Sequence, residues 1–155
     1  MGRLVLLSGL PGSGKSTLAC ALCSQARAVH LRVDTIEQAI CDSLLLVQSA
    51  VDAGYRVAAA QAKELTAAGH DVVCDAVNAD ARGREIWPRA DLIIHVRVPD
   101  AVRARRIAER GRAEYPHVWE PWAHEVLTLD GRTDPAEMTH TVWRALKNTA
   151  LRSKT

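Results

Sequence analysis

Residues 9–17 read Gly-Leu-Pro-Gly-Ser-Gly-Lys-Ser-Thr. Gly9, Gly14, Lys15 and Ser16 keep the spacing G-x-x-x-x-G-K-[ST], which holds phosphate when a strand leads into it and a helix leads out. Glycines let the backbone fold until several N–H groups face one anion. A helix starting near Lys15 adds the positive end of its dipole. Lys15 is then placed to reach the β- and γ-phosphates of a nucleotide, and the Ser16 hydroxyl to ligate Mg²⁺. The expected nucleotide-binding set is Gly9, Pro11, Gly12, Ser13, Gly14, Lys15, Ser16 and Thr17. A chance glycine turn would match the letters but not the context: Leu4–Leu7 reads as a buried strand and Ser16–Ala26 as a helix with one apolar face.

The rest of the chain alternates in the same way. Strands are predicted at 28–33, 71–74, 92–98 and 126–129. Helices are predicted at 35–41, 53–67, 81–87 and 100–112, with a last one opening at Asp134-Pro135. Gly69 should close the third helix, and Pro88 the fourth. Five strands separated by helices imply an α/β fold, a parallel sheet with helices on both faces. Ligands of such sheets bind at the carboxyl ends of the strands. The residues that follow strands therefore carry most weight: Asp34, Asp75 to Asn78, Pro99-Asp100, and Asp130 to Thr133.

A nucleotide loop does not by itself define a reaction. The Asn-Lys-x-Asp that reads guanine is absent, and Asp80-x-x-Gly83 follows a loop rather than a strand. A motor ATPase usually carries an acidic pair after its third strand, but Asp75 is followed by Ala76. What remains is a small phosphotransferase that moves the γ-phosphoryl of ATP to a bound acceptor. A nucleotide or nucleic-acid 5′-hydroxyl kinase stays open as an alternative, as does a non-catalytic ATP-binding regulator.

Composition narrows the partners. The chain has 155 residues and a net charge of only +2, which gives no support to a nucleic-acid-coating role. No apolar run approaches the ~18 residues of a membrane span. No targeting segment is visible, and a cytoplasmic location is the default. The length predicts a single domain over 1–155, with a short lid near 103–122. Cys20 and Cys23 form a lone C-x-x-C inside a helical pattern. With no second Cys or His pair they read as small buried thiols, as do Cys41 and Cys74. The six histidines show no ligand spacing.

Gly9 to Thr17 resembles the loop of compact P-loop kinases: adenylylsulfate kinase, gluconate kinase, chloramphenicol phosphotransferase, polynucleotide 5′-hydroxyl kinase and the zeta toxins. Three further stretches add to the likeness. Val33-Asp34 resembles their acceptor-side acid. Val73 to Asn78, with Arg82 after it, resembles their D-A-x-N…R segment. Arg103 to Arg110 resembles their arginine-bearing lid helix. The resemblance implies a three-layer fold with strand order 2-3-1-4-5, ATP and Mg²⁺ as cofactors, and a small-molecule acceptor. It also implies roles. Asp34 would be the base and would contact the acceptor, with Asp75, Asn78 and Arg82. Ser16 and Asp75 would hold the metal. Arg106 and Arg110 would close over the phosphates with Lys15.

Each role has a plainer rival. The plainer reading of Asp34 is a helix N-cap, with Glu37 completing a capping box. That of the arginines is a solvated helix face, and that of Trp119 to Trp122 a cover over the edge of the core. One departure bears on the acceptor. Several of these kinases place an arginine three residues after the acceptor-side acid, where it holds an anionic group. Glu37 stands there instead, which favours a neutral or amine-bearing hydroxyl compound.

Overall fold

The computed structural model describes residues 1–44, 49–50, 52–111 and 117–152. Its elements run β1 (Leu4–Ser8), α1 (Lys15–Ala26), β2 (Val29–Arg32), α2 (Val33–Cys41), α3 (Ala53–Ala67), β3 (Val72–Asp75), α4 (Ala81–Glu85), β4 (Leu92–Arg97), α5 (Asp100–Glu109), β5 (Leu127–Asp130) and α6 (Pro135–Arg152). The five strands form one parallel sheet in the order β2-β3-β1-β4-β5, as expected.

Alternation along the strands builds two cores. Val5, Leu7, Val73, Ile94 and Val96 face α1 and α6, where Leu18, Leu22, Met138, Val142 and Leu146 meet them. Leu4, Leu6, Val72 and Cys74 face the other way, against Ala58, Ala59 and Ala62 of α3 and the indole of Trp87. Central strands buried on both faces read as unbroken apolar runs, and β1 is buried at every position. The alanine face of α3 lets that helix sit close to the sheet. Gly69 then stops it: its φ is +95, and the N–H groups of Gly69 and His70 donate to the carbonyls of Thr66 and Leu65. That pattern satisfies two of the carbonyls left open at a helix end.

The element boundaries differ from expectation in ways that matter for the site. β2 ends at Arg32, and α2 begins at once with Val33, which is buried in the α3-side core. The cap of α2 is Arg32 in extended backbone, with no side-chain bond to the helix. Asp34 therefore lies in the first turn, where a carboxylate favours the helix dipole, and the Asp34–Glu37 capping box does not form. Asp100 likewise lies inside the first turn of α5, with Pro99 before it. Cys20 is exposed and Cys23 and Cys41 are half-buried, so only Cys74 fits the buried-thiol reading. The expected lid helix stops short of its predicted end: α5 ends at Glu109 with Arg110 as its C-cap and Gly111 at φ +60, and Arg112 lies outside the described residues.

Among those residues no helix is long and apolar enough to cross a membrane. None of their His, Cys, Asp and Glu side chains group in threes around a metal position.

Candidate functional site

The loop between β1 and α1 wraps the start of the helix. Gly14 caps α1 with φ +99 and offers no side chain to the helix. A residue with a Cβ would be strained at that φ and would also crowd the Gly131 carbonyl at 3.3 Å. Gly9 is constrained twice, by φ +152 and by the Val96 carbonyl, which would lie 2.5 Å from an added Cβ. With no side-chain cap, the first N–H groups of α1 stay available to an anion. The Ser13 hydroxyl is buried beside them without a partner. Lys15 is 6% exposed, and Ser16 and Pro11 are half-buried. Thr17 lies on the exposed side of α1.

Charge converges on Lys15. Burial pulls its pKa down from the ordinary value; Asp75 and Asp34 oppose that pull, and Arg32 and Arg110 reinforce it. Asp75 closes β3 and is in register with Leu7 of β1 and Arg32 of β2. It is 1% exposed, and neither carboxylate oxygen has a hydrogen-bond partner. Burial pushes its pKa up, yet His30, Lys15 and Ser16 together hold it below the ordinary value. A buried, ionised, unpartnered carboxylate beside a helix-start serine is a fitting donor set for a hard divalent cation.

Asp34 lies 3.1 Å from the Arg32 guanidinium and is 43% exposed. Glu37 is half-buried, and its pKa is raised by burial and by Asp34. It packs on Gly54, where an added Cβ would lie 2.3 Å from the Glu37 Cγ. Tyr55 follows on α3. Burial pushes its hydroxyl up to about 12, with Glu37, Asp34 and Asp80 adding to the effect. Glu37 thus joins α2 to α3 at Gly54, while the Tyr55 hydroxyl accepts from the Asn78 N–H at 3.1 Å.

The arginines of α5 divide. Arg106 bridges two carbonyls, Gly12 and Gly131, at 3.1 Å each. It fastens the outside of the phosphate loop to the turn after β5. Arg103 donates to the Pro11 carbonyl at 3.2 Å. Arg110 is exposed at the end of α5, close enough to Lys15 to affect its charge. Of the two arginines expected over the phosphates, Arg106 is engaged in holding the loop, and Arg110 stands exposed at the end of α5.

Asn78 does not stand where the sequence reading placed it, facing a ligand. Asn78 is fully buried with φ +51. Its Oδ1 accepts from the Trp87 indole at 2.8 Å, and its backbone N–H donates to the Tyr55 hydroxyl at 3.1 Å. The side chain is occupied inside the protein, so it shapes the loop instead of facing a ligand. Arg82 stays exposed on α4.

Arg84, two residues on, is the one the fold uses. It donates to the carbonyls of Asn78 at 2.9 Å, Ala79 at 3.0 Å and Pro121 at 3.1 Å, and also to that of Glu120. Its guanidinium lies 5.1 Å from the Trp119 ring and 4.1 Å from the Trp122 ring. Trp119 stacks on His95 of β4 at 4.2 Å. Glu120 donates from its N–H to Ala79 and accepts from the Ala81 N–H, both at 2.8 Å. Residues 119–122 thus form a strap fixed to the loop after β3. The sequence signal was the Trp-Glu-Pro-Trp run itself; its cationic partner was one of two nearby arginines that spacing could not separate.

Solved structures sharing this architecture include a sugar kinase from Janibacter sp., 18% identical, with TM-score 0.74 and 95% of each chain covered. An APS kinase from Mycobacterium tuberculosis, solved with AMPPNP and APS, is 19% identical with TM-score 0.72, covering 94% of this chain and 98% of that one. A gluconokinase from Sinorhizobium meliloti is 19% identical with TM-score 0.68, covering 99% and 95%. At these identities the likeness is one of fold. No curated protein matches the sequence. A family model described as an AAA domain matches residues 4–120, more than half of the chain, and the protein belongs to that AAA domain family.

Proposed function

We propose that this protein is a phosphotransferase that moves the γ-phosphoryl of ATP, with Mg²⁺, to a hydroxyl of a small molecule. The observation that carries the reading is the buried pair Lys15 and Asp75. It sits at the open start of α1, and both carboxylate oxygens of Asp75 are unpartnered. The naming of several fold neighbours as kinases supports it. Asp75 is followed by Ala76, with no second acid for a motor-type water-activating pair.

The residues divide the chemistry. The loop N–H groups and Lys15 bind the phosphates and offset the charge that builds on them. Ser16 and Asp75 would hold Mg²⁺, which supplies neutralisation of the phosphate oxygens when bound. The acceptor oxygen bonds to the γ-phosphorus as the bond to the β–γ bridging oxygen breaks, and ADP leaves. Asp34 orients the acceptor hydroxyl and takes its proton late, because phosphoryl transfer is loose at the transition state. Arg110 adds positive charge from the lid side. Asp34, Glu37 and the Tyr55 hydroxyl make a poor seat for an anionic acceptor, since Arg32 is already committed to Asp34. They suit a neutral polyol or an amine-bearing alcohol.

The test is a screen of sugars, polyols, amino alcohols and nucleosides for acceptor-dependent ATP consumption. A mass gain of one phosphoryl group confirms each product. Turnover with a neutral or amine-bearing alcohol is expected. ATP binding without acceptor-stimulated turnover would point to a regulator instead. Transfer to a 5′-hydroxyl of nucleic acid, weakening with salt, would replace the small-molecule acceptor.

A further inference from the structure

We propose that His30 is a positioning residue that orients the Asp75 carboxylate toward the metal side of the phosphate site. The inference rests on the phosphotransferase reading above. His30 lies on β2 in register with Val73 of β3, so it shares the α1 face of the sheet with Asp75 two residues further on. Its Nε2 reaches to 3.5 Å from Asp75 Oδ2. The Asp75 side chain is 1% exposed and the His30 side chain 22%. Nε2 and both carboxylate oxygens are buried without a hydrogen-bond partner. Orphaned buried polar atoms are costly, and here they face one another at a distance just too long for a bond.

The neighbouring cation does not fill this gap. Arg32 is in register with Asp75 itself, but its guanidinium pairs with Asp34 at 3.1 Å. Lys15 is directed to the phosphates in the proposed reaction. With Ser16 assigned to the metal, His30 is the neighbouring side chain placed to set which way the carboxylate turns. An imidazole behind a metal-binding carboxylate fixes its orientation through a hydrogen bond, and losing such a partner commonly weakens metal affinity about ten- to a hundred-fold. A contraction of the 3.5 Å contact to hydrogen-bond length satisfies Nε2 and one carboxylate oxygen together, leaving the other oxygen for the cation.

The experiment titrates Mg²⁺ into the full chain with a non-hydrolysable ATP analogue and follows binding by calorimetry. Wild type, His30→Ala and His30→Gln are compared, each also measured with the analogue in the absence of Mg²⁺. His30→Ala should raise the Mg²⁺ concentration for half-maximal effect about ten- to a hundred-fold. Its metal-free affinity should stay within about two-fold, as expected when the lost side chain touches the metal-holding carboxylate and not the nucleotide. His30→Gln, whose amide N–H₂ donates from a similar reach, should recover most of the loss. An unchanged Mg²⁺ requirement in His30→Ala overturns the proposal. So does an equal loss with and without Mg²⁺, or a glutamine variant no better than alanine. A wild-type protein whose analogue binding ignores Mg²⁺ would instead overturn the phosphotransferase reading on which the proposal rests.

Discussion

Arg84→Ala removes the centre of the strap. Four donated hydrogen bonds to carbonyls go, along with contacts to two indole rings at 5.1 and 4.1 Å. Each bond at a half-exposed site is worth about 0.5 kcal/mol net, the low end of the usual range. Each ring contact adds about 0.5 kcal/mol at such exposure. The loss should be about 2–3 kcal/mol, since bonds from one guanidinium do not add fully. In a domain of this size it lowers Tm by about 5–10 °C. Arg84→Lys should recover only a minor part, because an ammonium cannot reproduce the planar fork. Arg82→Ala, exposed and two residues away, should leave Tm within about 2 °C, as surface changes do. Calorimetric melts of the three variants read this directly, and quenching of indole fluorescence by iodide reads the release of Trp119 and Trp122. Equal Tm losses in Arg82→Ala and Arg84→Ala would refute the assignment of the strap to Arg84.

The other expectations concern charge and chemistry. Arg106→Ala should raise the KM for ATP more than it lowers kcat, because Arg106 holds the outside of the loop; Arg110→Ala should lower kcat by about 10²–10³-fold with a smaller change in KM. Steady-state kinetics on both variants separates the two roles. Asp34→Asn should keep nucleotide and Mg²⁺ affinity while losing transfer to the acceptor, whereas Asp75→Asn should raise the Mg²⁺ requirement as well; wild-type transfer in Asp34→Asn would remove it from the chemistry. His95 is held near a pKa of about 4, first by burial and then by Arg97 and Arg84. Its folded pKa lies below its unfolded value, so its contribution is full above pH ~6.5 and is lost as pH falls from there towards the folded value. Melts across that window should show wild type losing stability on acidification, and His95→Gln losing less.

Much of the architecture was legible because strong local signals agreed. The nearly continuous apolar runs of β1, β3 and β4 and the glycine loop each specify one kind of structure, and the loop must sit between a strand and a helix. The stop at Gly69 was readable for the same reason. The details that failed depend on three-dimensional competition. Val33 looks like a strand residue by β-branching, but its place in the α3-side core carries the chain straight into α2, and Asp34 loses the cap position with it. Asn78 carries a polar side chain in a loop after a strand, a reasonable ligand position, until the Trp87 indole from nine residues on claims it. Arg82 and Arg84 are equivalent to any reading by type, and only the strap from residues 119–122 distinguishes them. Arg106 matched a lid pattern, but the nearness of Gly131 to the loop, a long-range contact, gave it other acceptors.

The central claim is that residues 9–17 bind the phosphates of Mg-ATP through Lys15. Calorimetric titration of a non-hydrolysable ATP analogue with Mg²⁺ into wild type and Lys15→Ala tests it, with a melt of each to confirm the fold. The lysine is buried at the first position of α1, and burial disfavours its charge, so its removal should cost the fold little. We predict saturable, Mg²⁺-dependent binding to wild type and loss of measurable binding in Lys15→Ala at a similar Tm. Equal affinity in the two proteins would contradict the assignment of the phosphate site.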